Sequence, residues 1–206
     1  MLDATLRPRL EPALGVLARG LAGIGVTPIV LTLAGLVLGL AAAVAAALAW
    51  WWVALALWLV SRLLDGLDGP VAHARGGSSA FGGYADLVAD LTVYGAFVVG
   101  CALGQPDAMV PLLVLLLTYY VNGASLLAYS AAAERAEVVR PDDRTFHFTR
   151  GLAEATETIL AHSLFVVFPG QLAVLAWIFA AMVLITIVQR LALARRVLTG
   201  RARISG

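Results

Sequence analysis

Six apolar stretches, at about 27–49, 51–72, 82–104, 108–131, 150–168 and 171–194, fill most of the chain, with only short polar breaks between them. Each is close to the roughly 20 residues that an α-helix needs to cross the hydrocarbon core of a bilayer. The sequence therefore predicts an all-α integral membrane protein with six transmembrane helices. Composition supports lipid as the solvent: 61% of the 206 residues are hydrophobic and 13% are charged, against about 45–50% and roughly a quarter in soluble domains. Cys101 is the single cysteine, so no intrachain disulfide can form, and within its apolar run it reads as a small hydrophobe.

Ahead of the first stretch, Leu2, Leu6, Leu10, Leu14, Leu17 and Leu21 recur three or four residues apart, with Asp3, Arg7, Arg9, Glu11 and Arg19 between them. That spacing predicts an amphipathic helix over residues 2–21. It is too charged to cross a bilayer and suits the interface, leucines toward the acyl chains. A cleaved leader is not expected, because the long apolar core begins only after Gly25 and no small-residue cleavage site precedes polar sequence.

The chain has no lysine, so all 14 basic residues are arginines. With six spans, both termini and the loops after spans two and four share one side, and every arginine falls on it. The other side has the Trp50, Trp51, Trp52 turn, the turn at 104–107 with Asp107, and the Pro169–Gly170 turn. The positive-inside rule makes the arginine side cytoplasmic, with tryptophans at the opposite interface. No loop is long enough for another domain, so residues 1–206 form one membrane domain, with its six-helix core at 27–194.

Four aspartates interrupt this pattern. Asp65 and Asp68 close the second apolar stretch, three residues apart; Asp86 and Asp90 open the third, four apart. Each pair therefore shares one face of its helix, and two helices joined by a short loop run antiparallel and can bring those faces together. An aspartate within a membrane costs about 2.5–3.5 kcal/mol at the helix centre, so four of them imply function. Pairing with Arg62 and Arg75 alone would leave charge over. Four hard oxygen ligands without a His or Cys cluster suit one or two Mg2+ or Mn2+ ions, and two ions would balance the four charges while leaving positions for phosphate oxygens. The flanking Gly66, Gly69, Gly76, Gly77, Gly82 and Gly83 give room for a pyrophosphate to approach backbone.

These residues resemble the CDP-alcohol phosphotransferase (CDP-alcohol phosphatidyltransferase) family, whose signature is DxxDGxxARx8GxxxDxxxD. Asp65, Asp68, Gly69, Ala72, Gly82, Asp86 and Asp90 match it; the arginine after the alanine is His73 here, and Arg75 follows two residues later. Residues 27–35, ThrProIleValLeuThrLeuAlaGly, are similar to the family's TPNxLTxxG pattern, with Ile29 in place of asparagine. An interfacial helix followed by six spans is the family's architecture.

The resemblance implies that a CDP-linked donor binds at the cytoplasmic mouth, an acceptor alcohol attacks the β-phosphorus and CMP leaves. Asp65, Asp68 and Asp86 would bind metal, expected as two Mg2+ or Mn2+ ions. Asp90 would be the catalytic base and an additional metal ligand. Asp68, Gly69, Ala72, His73, Arg75 and Gly82 would border the nucleotide. The donor is expected to be CDP-diacylglycerol in a bacterial cytoplasmic membrane, and the protein a homodimer. For acceptor binding the candidates are Arg140, Arg144, Arg150, Glu154 and Glu157: arginine matches a phosphorylated acceptor in bidentate fashion, and the glutamates suit hydroxyls or an amine. Two rival readings keep the aspartates. One uses a soluble CDP-aminoalcohol donor and diacylglycerol as acceptor. The other is a carboxylate-based ion or metal transporter, against which stands the lack of a polar relay in the outer halves of the spans. Nucleic-acid binding is not expected, since the arginines follow the membrane side and form no aromatic-interleaved stripe.

Overall fold

A computed structural model describes residues 3–77, 79–135 and 155–201, which fold entirely into helices and short turns. The helices are α1 (Asp3–Gly23), α2 (Pro28–Ala47), α3 (Trp51–Ala74), α4 (Ala80–Gly104), α5 (Met109–Arg135), α6 (Ala155–Val167) and α7 (Leu172–Arg201). Single 3-10 turns at Pro106–Ala108 and Pro169–Gln171 lead into α5 and α7. Helices α2, α4, α5 and α7 are long and apolar enough to cross a membrane. The 24-residue α3 has the length but carries Arg62, Asp65 and Asp68, and α6 has 13 residues.

The side chains of α2 show what kind of solvent it meets. Its buried face is Leu31, Gly35, Gly39, Ala42 and Ala46, whereas Val30, Leu33, Val37, Leu40 and Val44 are exposed at the same helical spacing. Small residues inside and large apolar ones outside reverse the arrangement of a water-soluble helix and match helix packing in lipid, where close backbone approach supplies the contact. The chain is an integral membrane protein.

Helix α2 packs on both α3 and α4, and its glycines set how closely. A Cβ at Gly39 would lie 2.5 Å from Val93 Cγ1, and one at Gly100 of α4 would lie 2.2 Å from the Ala43 carbonyl oxygen. A second group consists of α5 against α7, joined to the first through α4–α5 and α3–α6 contacts. Trp58, Val93, Phe97, Leu112, Leu115, Phe165 and Phe179 form the shared core. Fully buried His162 lies within it, accepting from or donating to the Tyr119 hydroxyl at 2.8 Å. Its ring stacks on Phe97 at 5.2 Å between centroids.

At the α1 end, Leu14 and Leu21 of the predicted leucine stripe pack onto Leu31, Leu67 and Val71, while Leu17 is exposed. The stripe thus spends part of its apolar surface on α2 and α3, because the Gly25 turn folds α1 back onto them. Gly25 has φ +88°, the left-handed geometry that ends a helix cheaply at glycine. Ala49 takes the equivalent position after α2 with φ 56°, at the strain cost of a Cβ.

Candidate active site at the ends of α3 and α4

Helix α3 runs into the site and α4 runs out of it. The loop between them is held at both ends: Gly77 N donates to Ala72 O at 3.0 Å to close α3, and Ser79 Oγ accepts from Gly82 N at 2.9 Å to cap α4. Gly76 and Gly77, with φ +104° and +127°, make the reversal. The two helices are therefore antiparallel, and the aspartates pair in matching register. The Asp65 carboxyl faces that of Asp90, and the Asp68 carboxyl faces that of Asp86.

Two side chains, Thr32 and Arg62, hold these carboxylates. Thr32 Oγ1, on α2, donates to Asp68 Oδ2 at 2.7 Å, and Asp68 is only 8% exposed. Arg62 Nη1 contacts Asp90 Oδ1 and lies 3.6 Å from Asp65 Oδ1. Pro70, inside α3, lacks the N–H that would donate to the Gly66 carbonyl. Gly66 and Gly69 have nothing within 4 Å of where a Cβ would stand, which leaves this face of α3 open.

The sequence-predicted residues divide as follows. Asp65, Asp68, Asp86 and Asp90 converge. Gly69 borders the open face. Ala72 is buried in the packing of α3, and His73 and Arg75 are exposed at its end, Arg75 Nη1 reaching the Val26 carbonyl at 3.4 Å. Gly82 lies against its cap, where a Cβ would be 3.1 Å from Ser79 Oγ. Glu157 is buried in the first turn of α6, and Arg140, Arg144, Arg150 and Glu154 lie outside the described residues.

The donor set fits a hard divalent cation by its chemistry: four carboxylates against one guanidinium leave excess negative charge on oxygen ligands that Mg2+ and Mn2+ prefer. Among the described residues, no group of three or more His, Cys, Asp or Glu side chains is gathered around one point. The carboxylates lie instead in two pairs, with the Arg62 guanidinium at one of them.

Arg62 and Thr32 are the site residues that sequence reasoning underused. Arg62 stood out as a charge three residues before Asp65, on the same face, yet entered only as a counter-charge. Thr32 belongs to the 27–35 segment, whose ThrPro start is an ordinary helix beginning. Its hydroxyl on Asp68, together with Gly35 passing the Ser61 carbonyl closely enough to leave 3.3 Å for a Cβ, explains that segment as part of the site's scaffold.

Comparison with known proteins points the same way. The family model for CDP-alcohol phosphatidyltransferase matches residues 25–189. Inner membrane protein YnjF of Escherichia coli is 38% identical over 185 residues, covering 88% of this chain and 89% of that protein. A phosphatidylinositol phosphate synthase of Mycobacteroides abscessus is 29% identical over 189 residues, covering 85% and 80%. The crystal structure of Mycobacterium tuberculosis phosphatidylinositol phosphate synthase with CDP-DAG bound superposes with a TM-score of 0.70 at 26% identity, covering 88% of this chain and 93% of that one. The same enzyme in complex with manganese and citrate gives a TM-score of 0.71 at 26% identity, covering 88% of each.

Proposed function

The chain belongs to the CDP-alcohol phosphatidyltransferase family of membrane-embedded transferases, and on that premise we propose that it transfers a phosphatidyl group from CDP-diacylglycerol to the hydroxyl of a small polar alcohol, releasing CMP. The convergence of Asp65, Asp68, Asp86 and Asp90 across two antiparallel helices carries this reading. A family relative crystallised with CDP-DAG and with manganese supports the donor and the class of ion.

Asp65, Asp68 and Asp86 would hold Mg2+ or Mn2+, with Asp90 at the edge of that set. When bound, the divalent ion neutralises charge on the diphosphate and aligns it. Asp90 takes the proton of the acceptor hydroxyl as its oxygen attacks the β-phosphorus, and the bond between that phosphorus and the bridging oxygen breaks so that CMP departs. The open face at Gly66 and Gly69 admits the diphosphate, and Ala72, His73, Arg75 and Gly82 would border the nucleotide. Two such ions would balance the four carboxylates, with Arg62 a further positive charge beside Asp90 and Asp65.

In this reading α3 and α6 complete six spans, and α1 lies at the interface as part of one membrane domain over residues 1–206. The arginine-bearing side faces the cytoplasm of a bacterial cell, bringing the aspartates and both termini there, and the working unit is a homodimer. Arg140, Arg144, Arg150, Glu154 and Glu157 would receive the acceptor. Relatives that are phosphatidylinositol phosphate synthases favour a phosphorylated polyol such as inositol phosphate.

The test is acceptor-dependent CMP release by the purified protein in liposomes containing CDP-diacylglycerol, across inositol phosphate, glycerol 3-phosphate, inositol, serine and water alone. Release that rises with a phosphorylated polyol is expected. Equal release with water alone would contradict transfer, and silence with all acceptors but activity with CDP-choline and diacylglycerol would reverse the roles of donor and acceptor.

A further inference from the structure

His162 of α6 is fully buried among aromatic rings from α3, α4 and α5. Its ring centroid lies 4.8 Å from that of Trp58 and 5.9 Å from that of Tyr94, edge-on to the latter. Those two rings border the Arg62 guanidinium, whose Cζ is 5.2 Å from the Trp58 centroid and 5.1 Å from the Tyr94 centroid. Arg62 Nη1 contacts Asp90 Oδ1 and Nη2 donates to Ser61 Oγ at 3.0 Å, but its buried Nε has no hydrogen-bond partner among the described residues. Hydrogen bonds thus fix only the outer nitrogens, and the remainder of this planar cation rests on aromatic faces, as arginine readily does. Helix α6 in turn holds Trp58 twice. The Ile159 carbonyl accepts from Trp58 Nε1 at 3.4 Å, and His162, three residues on and so on the same helical face, packs against the ring. His162 is itself fastened to α5, its Nε2 lying 2.8 Å from the Tyr119 hydroxyl.

Packing alone does not call for a histidine here. His162 Nδ1 is buried without a partner among the described residues, and an unpaired polar atom in such surroundings costs stability that a phenylalanine ring in the same space would not. Polar groups kept against that cost are expected where a site needs them. What imidazole supplies and phenylalanine lacks is the hydrogen bond between Nε2 and Tyr119, which fixes the rotation of the ring against Trp58 and Tyr94. We infer that His162 is a positioning residue for the proposed transfer: tied to Tyr119, it sets the rings of Trp58 and Tyr94, and through them aims the Arg62 guanidinium at Asp90. Helix α6 then acts on the base through stacked rings rather than by touching it. This rests on the phosphatidyltransferase reading, in which Asp90 takes the acceptor's proton, and deepens it by naming what lies behind that base.

The experiment measures CMP release by the purified full chain in liposomes with CDP-diacylglycerol and Mn2+. The acceptor is whichever of inositol phosphate, glycerol 3-phosphate, inositol and serine gives most release. His162→Phe is expected to lower kcat about tenfold, a part of the 10²–10⁴ that a positioned base is worth, with KM for CDP-diacylglycerol unchanged. Tyr119→Phe should do the same, and the double variant should be no slower than either. His162→Gln, whose amide reaches the place of Nε2, should recover most of the loss. In an Arg62→Met background His162→Phe should have no further effect, because residues that act as one unit are not additive. A second readout needs no turnover: in protein labelled with 15N-arginine, the two Nη groups of Arg62 should give separate signals in wild type and His162→Gln, and one averaged signal in His162→Phe and Tyr119→Phe. Full kcat in His162→Phe, equal losses in the wild-type and Arg62→Met backgrounds, or Arg62 signals unchanged by His162→Phe would overturn the inference while leaving the transferase intact. No CMP release by wild type with any acceptor would overturn the transferase reading and the positioning role with it. Tyr119→Phe, which removes one oxygen, decides the question even if His162→Phe fails to fold.

Discussion

At the scale of single residues, the four aspartates stand in different surroundings although the sequence presents them alike. Asp68 is clamped by Thr32 and nearly buried, which suits a ligand; Asp90 is met by Arg62 and is more accessible. Asp90→Asn is expected to lower turnover by about 10²–10⁴-fold, the usual worth of a positioned base, with CDP-diacylglycerol binding largely kept. Asp68→Asn should lose binding as well, and equal loss of nucleotide binding in the two variants would contradict the division. His73 is exposed where the family pattern has arginine, and an imidazole lacks the forked donors with which a guanidinium would grip a diphosphate. His73→Arg should lower KM for the donor with kcat nearly unchanged, the pattern of binding shared by ground and transition states; steady-state kinetics checks it. The aspartates were legible because ionisable groups in apolar runs have few structural uses. The placement of Arg62 was not, because it depends on Trp58 and Tyr94, whose rings from α3 and α4 converge on its guanidinium.

At the scale of elements, runs of about 20 apolar residues defined the helices well, since lipid leaves a spanning backbone few alternatives. The predicted breaks at the Trp50–Trp52 turn and at 104–107 correspond to the α2–α3 and α4–α5 connections. What the runs could not show was which faces meet. The α2–α4 contact is set by glycines that in sequence look like any others in an apolar span: a Cβ at Gly104 would stand 2.0 Å from the Ala46 carbonyl oxygen. Gly100→Ala, whose Cβ would stand 2.2 Å from the Ala43 carbonyl oxygen, is expected to force α2 and α4 apart at a cost of about 1–3 kcal/mol, as overpacking does. Because α2 carries Thr32, the same variant should weaken metal binding at Asp68. Thermal unfolding in detergent together with Mn2+ affinity checks both, and a variant with wild-type stability would contradict the close α2–α4 packing. The leucine stripe of α1 shows the other limit of periodicity. It falls on the helix Asp3–Gly23, but a stripe does not say whether its partner is lipid or protein, and Leu14 and Leu21 pack against residues of α2 and α3.

At the scale of the whole molecule, the protein is a membrane-embedded transferase with four aspartates gathered at one end of α3 and the facing end of α4. Under the proposed function, its apolar exterior would let a lipid-linked donor enter sideways while a soluble acceptor arrives from water. The sequence showed the reaction class more readily than the acceptor, because the residues matching the family signature lie in a compact run from Asp65 to Asp90, whereas the acceptor candidates are spread from Arg140 to Glu157, where positive-inside placement and phosphate recognition call for the same arginines. The central claim is that the aspartate cluster performs metal-dependent phosphatidyl transfer. It is tested most directly by CMP release from CDP-diacylglycerol in liposomes, in the presence of the best acceptor, for wild type and Asp86→Asn, before and after chelation and with Mn2+ restored. The account predicts release by wild type that chelation abolishes and Mn2+ restores, with none from Asp86→Asn under any condition; release that persists through chelation or in Asp86→Asn would contradict it.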